Sequence, residues 1–294
     1  MDNSREVREF LTSRRAKVTP REAGLPEAGR RRVPGLRRSE VATLAGVSVE
    51  YYARIERGGL AGVSPSVLQA IAKALRLNDA ERSHLLMLAE AAEGTNVLRP
   101  RRSTTRAWTP PAGLQWVLDA ITGSPAIVRN GRMDLLATNA LGRAMHSPLY
   151  DRTSAGVPNF ARYTFLDPDA RSFYPDWETA ADTGAAILRT EAGRAPHDRQ
   201  LQDLVGELST LSEPFRQRWS THEVRLHGAG TKTFRHPEVG ELVLAYESAD
   251  MVSEAGLTLT IYAAEPGSPT ADALRLLASW AATSLAERVA DAPA

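Results

Sequence analysis

The chain has 294 residues, no cysteine, and 36 Lys+Arg against 35 Asp+Glu. Its length exceeds one typical domain, and the missing cysteine excludes disulfides, thiolate catalysis and Cys-based zinc or iron–sulfur sites. No run of about eighteen apolar residues is present, which argues against a membrane-spanning helix, and the acid-bearing start MDNSREVREFL lacks the apolar stretch of a secretion signal, so the expected location is cytoplasmic. The near-zero net charge hides an asymmetry. Up to Ala107 there are 20 basic against 12 acidic side chains, and the remainder holds 16 against 23. A basic first module joined to an acidic second one points to polyanion binding confined to the first.

In chain order, Val7, Phe10 and Leu11 recur at three- and four-residue spacing and predict a helix over 5–15. A basic loop with Arg30, Arg31, Arg32, Arg37 and Arg38 follows. Ser39 is then expected to cap a short helix that Gly46 ends in the left-handed conformation. Ser48 caps a second, 49–57, which Gly58 and Gly59 stop. Two helices separated by a short Gly-containing turn form the spacing of a DNA-binding helix-turn-helix. Val41, Ala42, Ala45, Val47, Tyr52 and Ile55 fall where the two helices must touch. Val49, Glu50, Ala53, Arg54 and Arg57 face outward, with Tyr51 at the border, and this face suits a major groove. An ordinary helical hairpin with a charged outer face is the alternative. Beside a helix-turn-helix, the loop arginines suit phosphate contacts. Ser64 and Pro65 make a cap and first-turn pair for a helix through 75, and Asp79 opens another with Leu85, Leu86, Leu88 and Ala89 inward. The reading is an all-α DNA-binding domain over 1–93 and a polar linker over 94–113 containing RPRR and a Pro-Pro pair.

The remainder, 114–294, mixes helices and strands. A helix over 114–121, strands over 126–129 and 135–138 and a helix from Ala140 come first. Helical segments follow around FYPDWETAADTGAAILR, then through Leu201, Leu204, Val205, Leu208 and Leu211 on one face, then over 215–219. ELVLAYE reads as a strand. GLTLTIYAAE alternates strictly, with Leu257, Leu259 and Ile261 on one face and Thr258, Thr260 and Tyr262 on the other, as a sheet with one buried side requires. A closing helix over 270–289 buries Leu274, Leu277, Ala278, Ala281 and Leu285. This is the element order of a PAS-like α+β domain. A ligand site in it would be an apolar cavity between sheet and helices, lined by Phe165, Phe173, Tyr174, Trp177, Trp219, Leu244, Tyr246 and Ile261. Arg162 and His222 would meet a carboxylate head group. For each of these side chains plain packing is the competing reading. His222, His227 and His236 lack the spacing and acidic partner of a metal motif, and GAGTK at 228–232 lacks the spacing of a phosphate loop and reads as a turn. No metal site and no catalytic constellation emerges, so an enzyme is not expected.

Ala42, Gly46, Val47, Ser48, Ile55, Glu56, Arg57 and Gly58 resemble the helix-turn-helix of the xenobiotic-response-element class, which includes phage repressors. The resemblance implies base-edge readers at Val49, Glu50, Ala53 and Arg54, Ser48 near the backbone, a phosphate contact at Arg38, and a structural role for Glu56. FLDPDAR, YPDW, VGELS, TKTFRHPEVGELVLAYE and AAEPGSPTADALRLLASW look like the C-terminal domain of MmyB-like transcription regulators. This implies a multidomain bacterial one-component regulator: an all-α, phage-repressor-like helix-turn-helix domain followed by an α+β PAS-like ligand-binding domain, which holds a fatty acid in at least one family member. No other cofactor is implied. The implied partners are double-stranded operator DNA and a second copy in a homodimer, since one recognition helix reads too few base pairs. In the competing reading the C-terminal domain serves only dimerisation or RNA polymerase contact. The closing helix, through Leu274, Leu277 and Leu285, either supplies the dimer surface or packs within its own domain.

Overall fold

The computed structural model describes residues 3–26, 35–93, 108–153, 156–221, 223 and 228–290. Arg30, Arg31, Arg32, His222, His227 and most of the expected linker lie outside the described residues, as does the side chain of Leu285. The chain packs as two compact units: Met1–Arg101 with Ala186–Leu226, and Arg102–Ala185 with His227–Ala294. The linear division at residues 93 and 114 thus differs from the packing, in which 186–226 joins the N-terminal helices.

The chain opens with helices α1 (Asn3–Lys17), α2 (Arg38–Ala45), α3 (Val49–Glu56), α4 (Pro65–Ala74) and α5 (Asp79–Glu93). Their apolar stripes meet in one core, where Val7, Phe10, Leu11, Val41, Tyr52, Ile55, Ile71 and Leu88 have no exposed surface. Gly46 takes φ 67° after α2, and Ser48 Oγ accepts from the Tyr51 amide at 3.0 Å to start α3. Ser64 and Pro65 open α4 as their order suggests. At α2 the expected cap moves. The helix begins at Arg38, so Ser39 already lies in its first turn, and it is the Glu40 carboxylate that reaches back to the Arg37 amide at 2.6 Å.

The chain continues through α6 (Ala112–Ala120), β1 (Ala126–Asn130), β2 (Leu135–Thr138), α7 (Ala140–Met145), α8 (Ser147–Asp151), α9 (Phe160–Leu166), α10 (Ala170–Phe173) and α11 (Trp177–Arg194). Next come α12 (Arg199–Leu211) and α13 (Glu213–Ser220). With the second half of α11, these two pack in the first unit. There Arg189 and Glu6, each 2% exposed, pair at 2.9 Å, and the Arg189 guanidinium stacks on Trp219 at 3.7 Å and donates to the Trp219 carbonyl. Burial pushes the Glu6 carboxyl above the usual carboxylate range, opposed by the charge of Arg189. Leu201, Leu204, Val205 and Leu208 are buried as their spacing predicts. Leu211 is not; it sits at the helix end, 66% exposed.

The last elements, β3 (Ala229–His236), β4 (Gly240–Asp250), β5 (Leu257–Ala263) and α14 (Pro269–Ala290), complete the second unit. GAGTK is largely strand rather than turn, since β3 starts at Ala229 and pairs with β4 throughout. The sheet is antiparallel in the order β2-β1-β5-β4-β3. Ile127 lies opposite Thr260, Tyr262 opposite Tyr246, and Tyr246 opposite Gly230. One face therefore carries Arg129, Thr258, Thr260, Tyr262, Leu244, Tyr246, Lys232, Phe234 and His236. The other carries Val128, Leu257, Leu259 and Ile261, packed with Leu118 of α6. The hydroxyl-bearing face of β5 holds two buried side chains, Thr260 at 1% and Tyr262 at 3% exposed; on the other face Leu257 is buried while Leu259 and Ile261 are half-buried. Asn139 fixes the entry to α7. Its Oδ1 accepts from the Gly142 and Ala126 amides at 2.7 and 3.0 Å, and its Nδ2 donates to Ser124 O at 2.7 Å. Leu274 and Leu277 of α14 are buried within this unit, as the second of the two readings of the closing helix, packing within its own domain, has it.

Candidate functional site

The first candidate surface is built on α3. The Ser48 cap and the buried Tyr52 and Ile55 fix how the helix is rolled against the core, and that roll decides which side chains remain outside. Val49, Glu50, Arg54 and Arg57 are exposed, with Tyr51 and Ala53 half-buried beside them. Arg37, Arg38 and Ser48 are exposed as well. The Arg54 guanidinium lies 4.9 Å from the centre of the Tyr51 ring. A ring that holds the guanidinium in place lowers the entropy lost when it binds a base edge.

Glu56, two positions further on, does the opposite work. Its carboxylate has no exposed surface and accepts from Arg15 Nε at 2.8 Å, Thr12 Oγ1 at 3.3 Å and Arg38 Nε. Arg15 also donates to Leu36 O at 2.8 Å, tying the segment before α2 to α1. Arg38, expected at a phosphate, thus also holds the buried acid. Its guanidinium proton is bound more tightly for it, chiefly through the hydrogen bond to Glu56. The clamp joins α1, α2 and α3 and positions the outward face without entering it.

The second candidate surface is the face of the sheet that carries Tyr246 and Tyr262. Phe234 meets Phe173 and Tyr174 at ring separations of 5.5 and 5.9 Å, and Tyr262 meets Tyr246 at 6.2 Å. Phe165 and Trp177 pack edge to face at 6.3 Å, with Trp177 Nε1 donating to Thr164 O at 2.9 Å. Of the side chains expected to line a site, Phe173, Tyr174, Leu244 and Tyr246 are brought to this sheet face or its aromatic cover, and Phe165 and Trp177 pack as a neighbouring pair. Ile261 is on the opposite face, because the period of two sends it away from Tyr262. Trp219 packs within the first unit, stacked on Phe215 at 5.4 Å. Arg162 is exposed on α9, and His222 lies outside the described residues.

Sequence reasoning passed over the polar groups on this face. His146, 1% exposed, follows α7 and is ringed by Phe160, Tyr262 and Phe234 at 5.3, 5.9 and 6.2 Å. Burial pushes its pKa down to about 4, so the imidazole is neutral. Lys232 is half-buried, with Nζ 4.7 Å from the Tyr246 ring centre; desolvation and then the charge of Arg129 bring its pKa down to about 7. Arg129 is itself 8% exposed. For Lys232 the signal was the alternation in β3, where it shares a face with Phe234 and His236. His236 is satisfied locally: Nε2 donates to Ala144 O at 3.0 Å and Nδ1 accepts from the Glu238 amide at 3.2 Å. Among the described residues, no group of three His, Asp or Glu side chains could hold a metal ion.

A family model described as the MmyB-like transcription regulator ligand binding domain matches residues 110–277, and a helix-turn-helix domain model matches residues 7–85. Neither is an enzyme family. No curated protein matches the chain. Among the described residues no helix is long and apolar enough to cross a membrane.

Proposed function

Because the chain belongs to the MmyB-like transcription regulators, we propose that it binds a specific operator and that a small apolar ligand, such as a fatty acid, held by its C-terminal domain sets operator affinity. The observation that supports the DNA half most directly is the outward face of α3, fixed by a cap at one end and the Glu56 clamp at the other. With α3 in a major groove, Arg54 donates two hydrogen bonds to a guanine edge, Glu50 accepts from a cytosine amine and Val49 touches a thymine methyl. Ala53 and Tyr51 shape the contact, and Ser48, Arg37, Arg38 and Arg57 lie against phosphates. The protein acts on DNA in the bacterial cytoplasm as a homodimer, because an eight-residue recognition helix discriminates too few base pairs to pick one site from a genome.

The ligand half rests on the aromatic cover over the sheet, which suits an apolar molecule oriented by few polar groups. Control of DNA affinity requires that the ligand favour one state of the protein over another, since equal affinity for both shifts nothing. Selection of binding sites from random duplexes, followed by titration of the enriched site, tests the DNA half. Arg54→Ala is expected to lose about 1–3 kcal/mol on that site and to relax discrimination at one position. Parent-like affinity and selectivity in the variant would overturn the docking.

A further inference from the structure

The imidazole of His146 is positioned to recognise something the protein does not itself provide. Its Nδ1 lies 2.9 Å from Gly142 O. A carbonyl oxygen only accepts, so Nδ1 carries the ring proton, and Nε2 of the neutral ring is left as an acceptor. That Nε2 is buried and has no hydrogen-bond partner among the described residues. A buried acceptor left without a donor is unfavourable, which makes the atom a recognition point for a ligand's donor. The surrounding rings of Phe160, Phe234 and Tyr262 exclude bulk water and suit an apolar body. Tyr262 neighbours Tyr246 on the sheet, and Lys232 Nζ lies over the Tyr246 ring. Arg129 adds a second positive charge on the same face and bears on Lys232. An acceptor with no partner among the described residues and two basic side chains on the adjoining sheet face are complementary to a molecule that joins a hydroxyl to an acidic group.

We propose that this face binds a small hydroxy acid with an apolar body, His146 Nε2 accepting the hydroxyl proton and Lys232, backed by Arg129, drawing the acidic group. This rests on the reading of the second unit's sheet face as the ligand site, and it narrows that reading from apolar molecules in general to one head-group chemistry. His146 then determines specificity, while Lys232 supplies affinity for any acid.

Calorimetric titration of the full-length protein with 3-hydroxydecanoic acid, decanoic acid and methyl decanoate tests it. The hydroxy acid is expected to bind about tenfold more tightly than decanoic acid, the scale of one buried hydrogen bond. His146→Leu should abolish that preference, bringing the two acids to equal affinity, and His146→Gln, which keeps an acceptor, should retain part of it. Lys232→Met should weaken both acids while sparing the ester. Equal affinity of the parent for the two acids, as when a trapped water serves His146, would overturn the proposal and leave the apolar-ligand reading standing. A preference that survives His146→Leu would also overturn it. Binding of none of the three probes would count against both.

Discussion

At Glu56 a carboxylate with no exposed surface sits between Arg15, Arg38 and Thr12, whereas Arg54, two positions earlier on the same helix, is exposed with its guanidinium over the Tyr51 ring. The two residues separate stability from recognition. Removing one member of a buried ion pair leaves the partner charge uncompensated, so Glu56→Ala should cost about 3–5 kcal/mol in a urea melt. Arg54→Ala should stay within about 0.5 kcal/mol of the parent in the same melt while weakening operator binding by about 1–3 kcal/mol. His146 gives the fold a pH dependence of definite sign. Its pKa is about 4 in the folded protein against an ordinary value of 6.5. Above pH 6.5 neither state binds the proton; between 6.5 and 4 only the unfolded chain does, so stability falls by about 1.4 kcal/mol per unit, to a total of about 3 kcal/mol. Below pH 4 both states are protonated and the loss stops. His236, whose pKa burial also lowers, adds to the same trend. Urea melts at pH 7 and pH 4.5 should show the parent losing about 2–3 kcal/mol more than His146→Gln.

At the scale of the element, the helix-turn-helix was legible because its punctuation is local. Ser48, Ser64 and Pro65 act within one turn of where they stand, and Gly46 takes the left-handed φ of 67° that ends α2. Gly46→Ala keeps open space around the new methyl but must adopt that φ, so a loss of about 1 kcal/mol is expected in thermal unfolding, with α2 and α3 retained. The cap on α2 was harder to read, because Ser39 and Glu40 both suit a helix start and only the fixed position of Arg37 decides between them. In β5 the alternation was visible, but which face is covered depends on other elements. The helices over the sheet bring Phe173, Tyr174 and His146 to Tyr262 and Phe234, so the face with hydroxyl groups became the inner one. Ile261, expected beside Tyr246 and Leu244, lies on the opposite face for that reason. The same limit hid Arg189, whose partner Glu6 is 183 residues away, and with it the grouping of 186–226 with the N-terminal helices. A charge on an otherwise apolar helix face announces that it needs a partner; it does not say where in the chain the partner lies.

At the scale of the molecule, the charge asymmetry, the helix-turn-helix match over 7–85 and the ligand-binding-domain match over 110–277 describe a regulator with a DNA-binding and a ligand-binding region in one chain. Coupling between them is a free energy, and it is reciprocal: a ligand that changes operator affinity must itself be bound differently when operator is present. The most direct test is the operator affinity of the full-length protein as purified and again after bound small molecules are stripped, with native mass spectrometry recording subunit number and what was lost. The account predicts a dimer, the loss of a small apolar acid, and a change of about fivefold or more in operator Kd that returns when the acid is added back. Loss of the acid with an unchanged Kd would contradict it.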